Sequence, residues 1–191
     1  QSVFPRPCRV SPGYFPPSMP YARYYSGVRK KQQGTEANMP DEEIQGAVVK
    51  KLNVKKTLAV LHNDWGGLIT RFHGLNLEEQ QAYLHAQGYK RFADLLAHFC
   101  AWWERGIAMI RNFQQDSGFS APEVEVDDFN AAAVARAQGL SEEEVERVYN
   151  RTLQRFEDLI ASLSVEDQKD KRIIRQIEIE LIGHYQEHQI K

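Results

Sequence analysis

Apolar residues recur at intervals of three and four along four long stretches of this chain, and no stretch shows the alternation of a half-buried strand. The stretches are Pro40 to Gly74, Lys90 to Gln115, Ser141 to Leu163, and the segment from Ser164 to the last residues. In the first of them the apolar stripe consists of Leu58, Leu61, Trp65, Leu68, Ile69 and Phe72. This spacing places one apolar face on each helix. The sequence therefore predicts an all-α fold, and specifically a four-helix bundle.

Polar residues mark where several of these helices should begin. Asn76 is followed three residues later by Glu79, and Ser141 by Glu144, which is the pattern of a capping box. Ser164 and Asp167 form a third start signal of the same kind, for the last helix. In the first helix, the Gly66-Gly67 pair weakens the middle and predicts close packing or a bend there.

The connection between the second and third long helices is unusually long. It begins with the loop 117–126, which contains Gly118 and Pro122, and continues into a short helix from Asp128 to Ala137. Gly139 ends that helix before the third long helix starts. The pattern predicts a long crossover between helices two and three of the bundle.

Residues 1–40 differ from the rest in composition. They contain seven of the eight prolines, and residues 1–38 contain six Lys or Arg but a single acid, Glu36. Prolines remove backbone donors and prevent helices, so a disordered arm is predicted for 1–40 and a single bundle domain for 41–191. An organelle transit segment and a translation start at Met39 are alternative interpretations of this arm.

Composition excludes several functions. The formal net charge of -2 gives no basic field for a nucleic acid, and no apolar run approaches the ~20 residues needed to cross a bilayer. The two cysteines, Cys8 and Cys100, lie in an arm and in an apolar helix, so no disulfide framework is predicted and Cys100 is expected to be a small buried hydrophobe. A soluble, cytoplasmic protein is the expectation.

His184 and His188 lie four residues apart near the end of the last predicted helix. Residues at i and i+4 share one helix face and are separated by about 6 Å along the axis, so two imidazoles can reach one metal ion. Two amphipathic imidazoles on a surface helix end are the competing interpretation.

His98 lies among apolar residues in the second long helix, within the stretch LLAHFCAWWE. A buried imidazole without a partner costs on the order of 1–3 kcal/mol, so a partner is expected. Asp94, one turn earlier, is predicted to accept a hydrogen bond from the ring and to orient it. A core histidine satisfied by Asp94 alone remains the alternative.

Three segments together resemble a known family. GYKRFADLLAHFCAWWE is similar to the second helix of the DinB/YfiT-like metalloproteins, and HYQEH is similar to their closing His-x-x-x-His. The connecting segment DDFNAAAVARAQGLSEEEVERVYNRT, with Asn130 and the restart at Leu140-Ser141, resembles the ClbS/DfsB branch. The resemblance covers roughly residues 48–191. Tyr89 and Lys90 depart from the Trp and Ser usual at those places, and neither is expected to touch the ligands.

The resemblance implies one divalent metal ion, zinc, nickel or iron, held by His98, His184 and His188. It implies an enzyme, monomeric or homodimeric, that detoxifies a small reactive electrophile by hydrolysis or by thiol transfer, the latter with a low-molecular-weight thiol. No catalytic residue beyond the ligands is assigned. The rival hypothesis is a non-catalytic bundle that sequesters an apolar small molecule, for which Trp65, Trp102 and Trp103 would form a wall.

Three further polar residues could take part in the site but are expected to lie at the surface. Glu180 lies one turn before His184 and Glu187 directly before His188, and either could act as a base or an orienting group. Solvated carboxylates are the default expectation for both. His62, in the first helix with Asp64 nearby, could line the pocket but is expected to be partly exposed.

Overall fold

A computed structural model of the protein describes residues 51–190. Every regular element in this range is helical, and the range contains no strand, which confirms the all-α prediction. The predicted disordered arm, Cys8 and the predicted helix start at Pro40 lie outside the described residues. None of the described helices combines the length and the apolar character needed to cross a membrane.

The described residues form six helices. Four of them are continuous: α2 (Leu77–Gln87), α3 (Phe92–Gln115), α4 (Val126–Ala137) and α5 (Glu142–Ala161). Helix α1 comprises the α-helical segments Val54–Ala59 and Leu68–Gly74 with the π-helical segment Val60–Trp65 between them. Helix α6 comprises Lys171–Ile177, the π-helical segment Glu178–Gly183 and the final α-helical segment His184–His188. A short 3₁₀ turn, Asp167–Lys169, precedes α6.

Two of the three start signals are confirmed. Asn76 with Glu79 and Ser141 with Glu144 each form a complete capping box, at α2 and α5 respectively. The prediction that Ser164 opens the last helix is wrong. Ser164 and Asp167 do exchange hydrogen bonds, but they close only the 3₁₀ turn, and α6 starts with its own cap at Asp170.

The two π-helical segments face each other. The Gly66 amide donates to the carbonyl of Leu61, 2.8 Å away and five residues back, where the glycine pair predicted an irregularity. The Trp65 Nε1–H donates to the carbonyl of Leu181 in the other π-helical segment, at 3.1 Å. The Tyr149 hydroxyl donates to the Trp65 carbonyl at 2.8 Å, so one residue connects α1, α5 and α6.

Helix α3 lies at the centre of the packing. It contacts α2, α4, α5 and α6, while α1 contacts α5 and α6. Large aromatic rings of α1 and α3 meet in the core cluster: Trp65 packs edge-on against Phe99 at 5.0 Å and against Trp103 at 4.8 Å between ring centroids. Cys100 is a free, buried thiol in this core, as expected.

Candidate metal centre

Three histidines from two helices meet inside the protein. His98, on α3, and His184 and His188, on α6, are each between 1% and 3% exposed. The Nε2 atoms of His98 and His184 are 2.9 Å apart, and one ring nitrogen from each of the three lies within 4.8 Å of the others. The predicted convergence of these three side chains is therefore confirmed.

The local fold of α6 explains the position of its two histidines. His184 is the first residue after the π-helical segment, and His188 follows one α-helical turn later, so their ring centroids are only 4.9 Å apart. A π-helical segment inserts one residue into the helical register and reorients the side chains that follow it. The hydrogen bond from Trp65 to Leu181 holds that segment against α1.

In two of the three rings, the Nδ1 atom contacts a side-chain amide oxygen. His98 Nδ1 lies 3.0 Å from Asn130 Oδ1 on α4, and His188 Nδ1 lies 2.5 Å from Gln87 Oε1 on α2. The Tyr83 hydroxyl also donates to the His188 carbonyl at 2.6 Å, which ties the end of α6 to α2. The contact with Asn130 leaves His98 Nε2 directed toward His184, and one ring nitrogen of each of the three histidines lies within 4.8 Å of the others.

The prediction that Asp94 orients His98 is wrong. Both ring nitrogens of His98 have other partners, Asn130 and His184, while Asp94 faces Arg91 at 3.8 Å. Asp94 lies four residues before His98 and so shares its helix face. The acceptor that contacts the ring is instead Asn130, which lies on α4 in the segment that connects α3 to α5. Asn130 appeared in the sequence only as part of a family resemblance, without a role.

Aromatic rings enclose the three imidazoles. Phe99 lies edge-on to His184 and to His188, at 5.3 Å and 5.0 Å between centroids, and Trp65 lies 5.8 Å from His184. Tyr89 lies 5.7 Å from His98, so the expectation that it stands clear of the ligands is wrong. These rings exclude water from one side of the cluster.

Burial controls the protonation of the cluster. It lowers the pKa of His98 to about 4, with the Asn130 hydrogen bond acting in the opposite direction. Burial lowers the pKa of His184 and His188 well below the usual value, and the neighbouring imidazoles lower both further. All three rings are therefore neutral at pH 7, the form in which imidazole binds a metal.

Glu180 differs most from its prediction. It is fully buried, not solvated, and its Oε1 accepts a hydrogen bond from Gln176 at 2.8 Å, while Oε2 has no hydrogen-bond partner. Burial raises its pKa to about 8, against opposing effects of Arg105 and Gln176. Its side chain packs over Gly106 of α3, where the absence of a Cβ makes the room. Glu187 is half-buried, and burial raises its pKa.

Other histidines lie away from this cluster. His62, expected to be partly exposed, has a side chain that is 83% exposed, with its Nδ1 3.9 Å from a Glu157 oxygen. His73 is also exposed, and its Nε2 lies 2.7 Å from a Glu146 oxygen, with Glu142 close by. An exposed hydrogen bond between His73 and Glu146 accounts for that arrangement without a ligand.

Comparison of the chain with protein-family models, curated proteins and solved structures finds no match. Three neutral imidazoles, buried and directed at one point, could hold a divalent metal ion. Tetrahedral nitrogen ligands at 2.0–2.1 Å from zinc are about 3.4 Å apart, which falls between the 2.9 Å contact and the 4.8 Å limit of this cluster.

Proposed function

We propose that this chain is a DinB-like four-helix metalloprotein, of the ClbS/DfsB kind, that detoxifies a small reactive electrophile. Its ligands are His98, His184 and His188, and its mode of action is hydrolysis or thiol transfer. In this proposal α1, α3, α5 and α6 are the four helices of the bundle. The contacts of α3 with α5 and α6, and of α1 with the same two helices, support this arrangement because they close a ring of four.

One observation carries the proposal. Two imidazole nitrogens lie 2.9 Å apart in a site that is at least 97% buried, and the third ring is directed at the same place. Neutral rings whose lone pairs converge repel one another unless a cation or a shared proton lies between them. Burial disfavours the protonated form of all three. The N–H of one neutral ring can satisfy one pair of nitrogens, whereas a metal ion accepts the lone pairs of all three rings, so a metal ion is the better partner for the whole cluster.

The donor set points to a catalytic type of site. Three protein ligands leave a further coordination position open, and a bound divalent ion such as zinc, nickel or iron lowers the pKa of a water or thiol held there. The protein's own contribution is to hold the imidazoles neutral, to orient them through Asn130 and Gln87, and to exclude water with Phe99 and Trp65.

Metal content of the purified protein tests the proposal. We expect close to one zinc, nickel or iron ion per chain, and loss of that ion in His184→Ala. His62→Ala is the matched control, because His62 is exposed and lies outside the cluster. Wild-type protein should then consume reactive electrophiles, with or without an added low-molecular-weight thiol, and His184→Ala should not.

Two results would overturn it. Equal metal content in wild type and His184→Ala would place the ion elsewhere. A metal-free wild-type protein that takes up no added Zn²⁺ but binds an apolar dye would favour the sequestration hypothesis.

A further inference from the structure

We propose that Asn130 is a positioning residue that fixes the tautomer of His98, and that Trp102 in turn fixes the orientation of Asn130. The inference rests on the proposed metal site and assigns a role to α4, a helix that contributes no histidine to the cluster. It deepens the proposed function by naming what keeps one ligand ready for the ion.

The oxygen and nitrogen ends of the Asn130 amide can exchange by a flip. Trp102 Nε1 lies 2.8 Å from Asn130 Oδ1. An indole N–H donates and never accepts a hydrogen bond, so the atom facing it has to be the amide oxygen. Trp102 itself is buried and packs against Phe129, the residue before Asn130, with ring centroids 4.6 Å apart. The orientation of the amide is thus set by a group that can only donate.

The same amide also determines which nitrogen of the His98 ring carries the proton. The same oxygen of Asn130 lies 3.0 Å from His98 Nδ1. An amide oxygen only accepts, so Nδ1 has to carry the proton. A neutral imidazole carries one proton, so Nε2 has the free lone pair, and Nε2 is the atom 2.9 Å from His184 Nε2. The chain from Trp102 to Asn130 to His98 therefore presents Nε2 to the candidate metal position.

The groups that orient His98 and His188 are uncharged. Histidine ligands are often oriented by carboxylates, which bring a negative charge next to the metal. Here the acceptors on His98 and His188 are the neutral amides of Asn130 and Gln87. An amide fixes the ring without neutralising the ion. A divalent ion held by these histidines would keep more of its positive charge for the open position, which would favour an anionic ligand such as hydroxide or a thiolate.

The experiment compares two substitutions at one position. Asn130→Leu removes the acceptor at similar size, while Asn130→Asp keeps an oxygen for both Trp102 and His98. We expect Asn130→Leu to weaken Zn²⁺ binding about 10–100-fold in a chelator competition, the usual effect of losing such an orienting group, and Asn130→Asp to bind at least as tightly as wild type. Asn150→Leu, at an exposed position of α5, is the control and should bind as wild type.

A second readout needs no metal. Nitrogen-15 NMR of the metal-free protein at pH 7.5 should show His98 as the Nδ1–H tautomer in wild type and Asn130→Asp, and as a mixture or the Nε2–H form in Asn130→Leu. Trp102→Phe, which removes only the indole donor, should also give a mixture and a smaller loss of Zn²⁺ affinity.

The outcomes separate the two proposals. A wild-type His98 in the Nε2–H form, or an Asn130→Leu protein that keeps both the wild-type tautomer and the wild-type affinity, would overturn the role of Asn130 and leave the metal site standing. A wild-type protein with the expected tautomer but no affinity for Zn²⁺ would overturn the metal site. If Asn130→Leu fails to fold, the wild-type spectrum and Trp102→Phe still decide the tautomer.

Discussion

Helices α5 and α6 both pack against α3, but they bury side chains of different polarity. Helix α5 is regular and opens with a capping box, and its buried residues are apolar or aromatic apart from Thr152. Helix α6 contains a π-helical segment and buries four strongly polar side chains, Gln176, Glu180, His184 and His188. One helix behaves as an ordinary part of the core, whereas the other brings into the core groups that lose hydration there.

This difference in buried side chains suggests that α5 mainly stabilises the fold, whereas α6 mainly provides the polar groups of the candidate metal centre. Burial of apolar side chains on α5 stabilises the folded state without a specific partner, because the hydrophobic effect is not directional. Polar groups on α6 need specific partners, and other helices supply several of them: Trp65 for the Leu181 carbonyl, Gln87 for His188 and His98 for His184. Substitutions on α5 should therefore lower the free energy of unfolding, whereas substitutions on α6 should also change its pH dependence or the binding of a metal ion.

Phe156→Ala, on α5, should have the largest effect on stability. Phe156 is fully buried, and removing a buried phenyl ring costs about 3–5 kcal/mol through lost burial and a residual cavity. Denaturant unfolding of the metal-free protein measures this loss. Zn²⁺ affinity of the remaining folded protein should stay within a few-fold of wild type, and a large drop would show that α5 also shapes the metal centre.

Glu180→Gln, on α6, should change how stability depends on pH. Burial raises the pKa of Glu180 to about 8, above the value of about 4.5 expected when unfolded, so the folded state binds the proton more tightly. Its contribution is present below pH 4.5 and is lost as the pH rises through 8, because ionising the carboxyl in the core is unfavourable. Glutamine keeps the shape and cannot ionise.

Unfolding free energies at pH 5 and pH 8 measure the effect. The advantage of Glu180→Gln over wild type should grow by on the order of 3 kcal/mol between these values. Glu143→Gln, at an exposed position on α5, is the control and should show no such trend. Parallel pH profiles for wild type and Glu180→Gln would contradict the burial of this carboxyl.

Gly106→Ala should have the smallest of the three effects. A Cβ at Gly106 would stand 2.8 Å from Glu180 Cγ, so α6 or the Glu180 side chain would have to shift. Overpacking of this kind costs about 1–3 kcal/mol, partly offset by the better helix propensity of alanine, so we expect a net loss of about 1–2 kcal/mol. Gly74→Ala meets no atom within 4 Å and should be neutral or slightly stabilising. Equal thermal shifts for the two would contradict the close approach of α3 and α6.

Local signals in the sequence predicted much of the fold. The 3–4 spacing and the capping boxes at Asn76 and Ser141 depend on residues within one or two turns, and the helices they predicted are present. The failure at Ser164 has the same local origin, since a reciprocal pair of hydrogen bonds closes a 3₁₀ turn as well as a helix. The π-helical segment of α6 had no signal, because it depends on contacts with α1.

The three histidines that converge were predicted from the sequence, but the residues that contact them were not. His184 and His188 share a face by spacing alone, and the family resemblance added His98. The partner of His98 was misassigned because Asp94 is close in sequence, whereas Asn130 reaches the ring only after the crossover has packed against α3. Glu180 was misjudged because its burial depends on Gly106, a residue on another helix that carries no side chain.

The indole of Trp65 gives this protein a built-in optical signal. Its ring centroid is 5.8 Å from that of His184, and its N–H is fixed to the Leu181 carbonyl. Indole emission shifts with the local electric field and is quenched by open-shell ions at such short range. Fluorescence titrations with Ni²⁺ and with Zn²⁺ would therefore follow occupancy directly, Ni²⁺ through quenching and Zn²⁺ through a spectral shift, without any added dye.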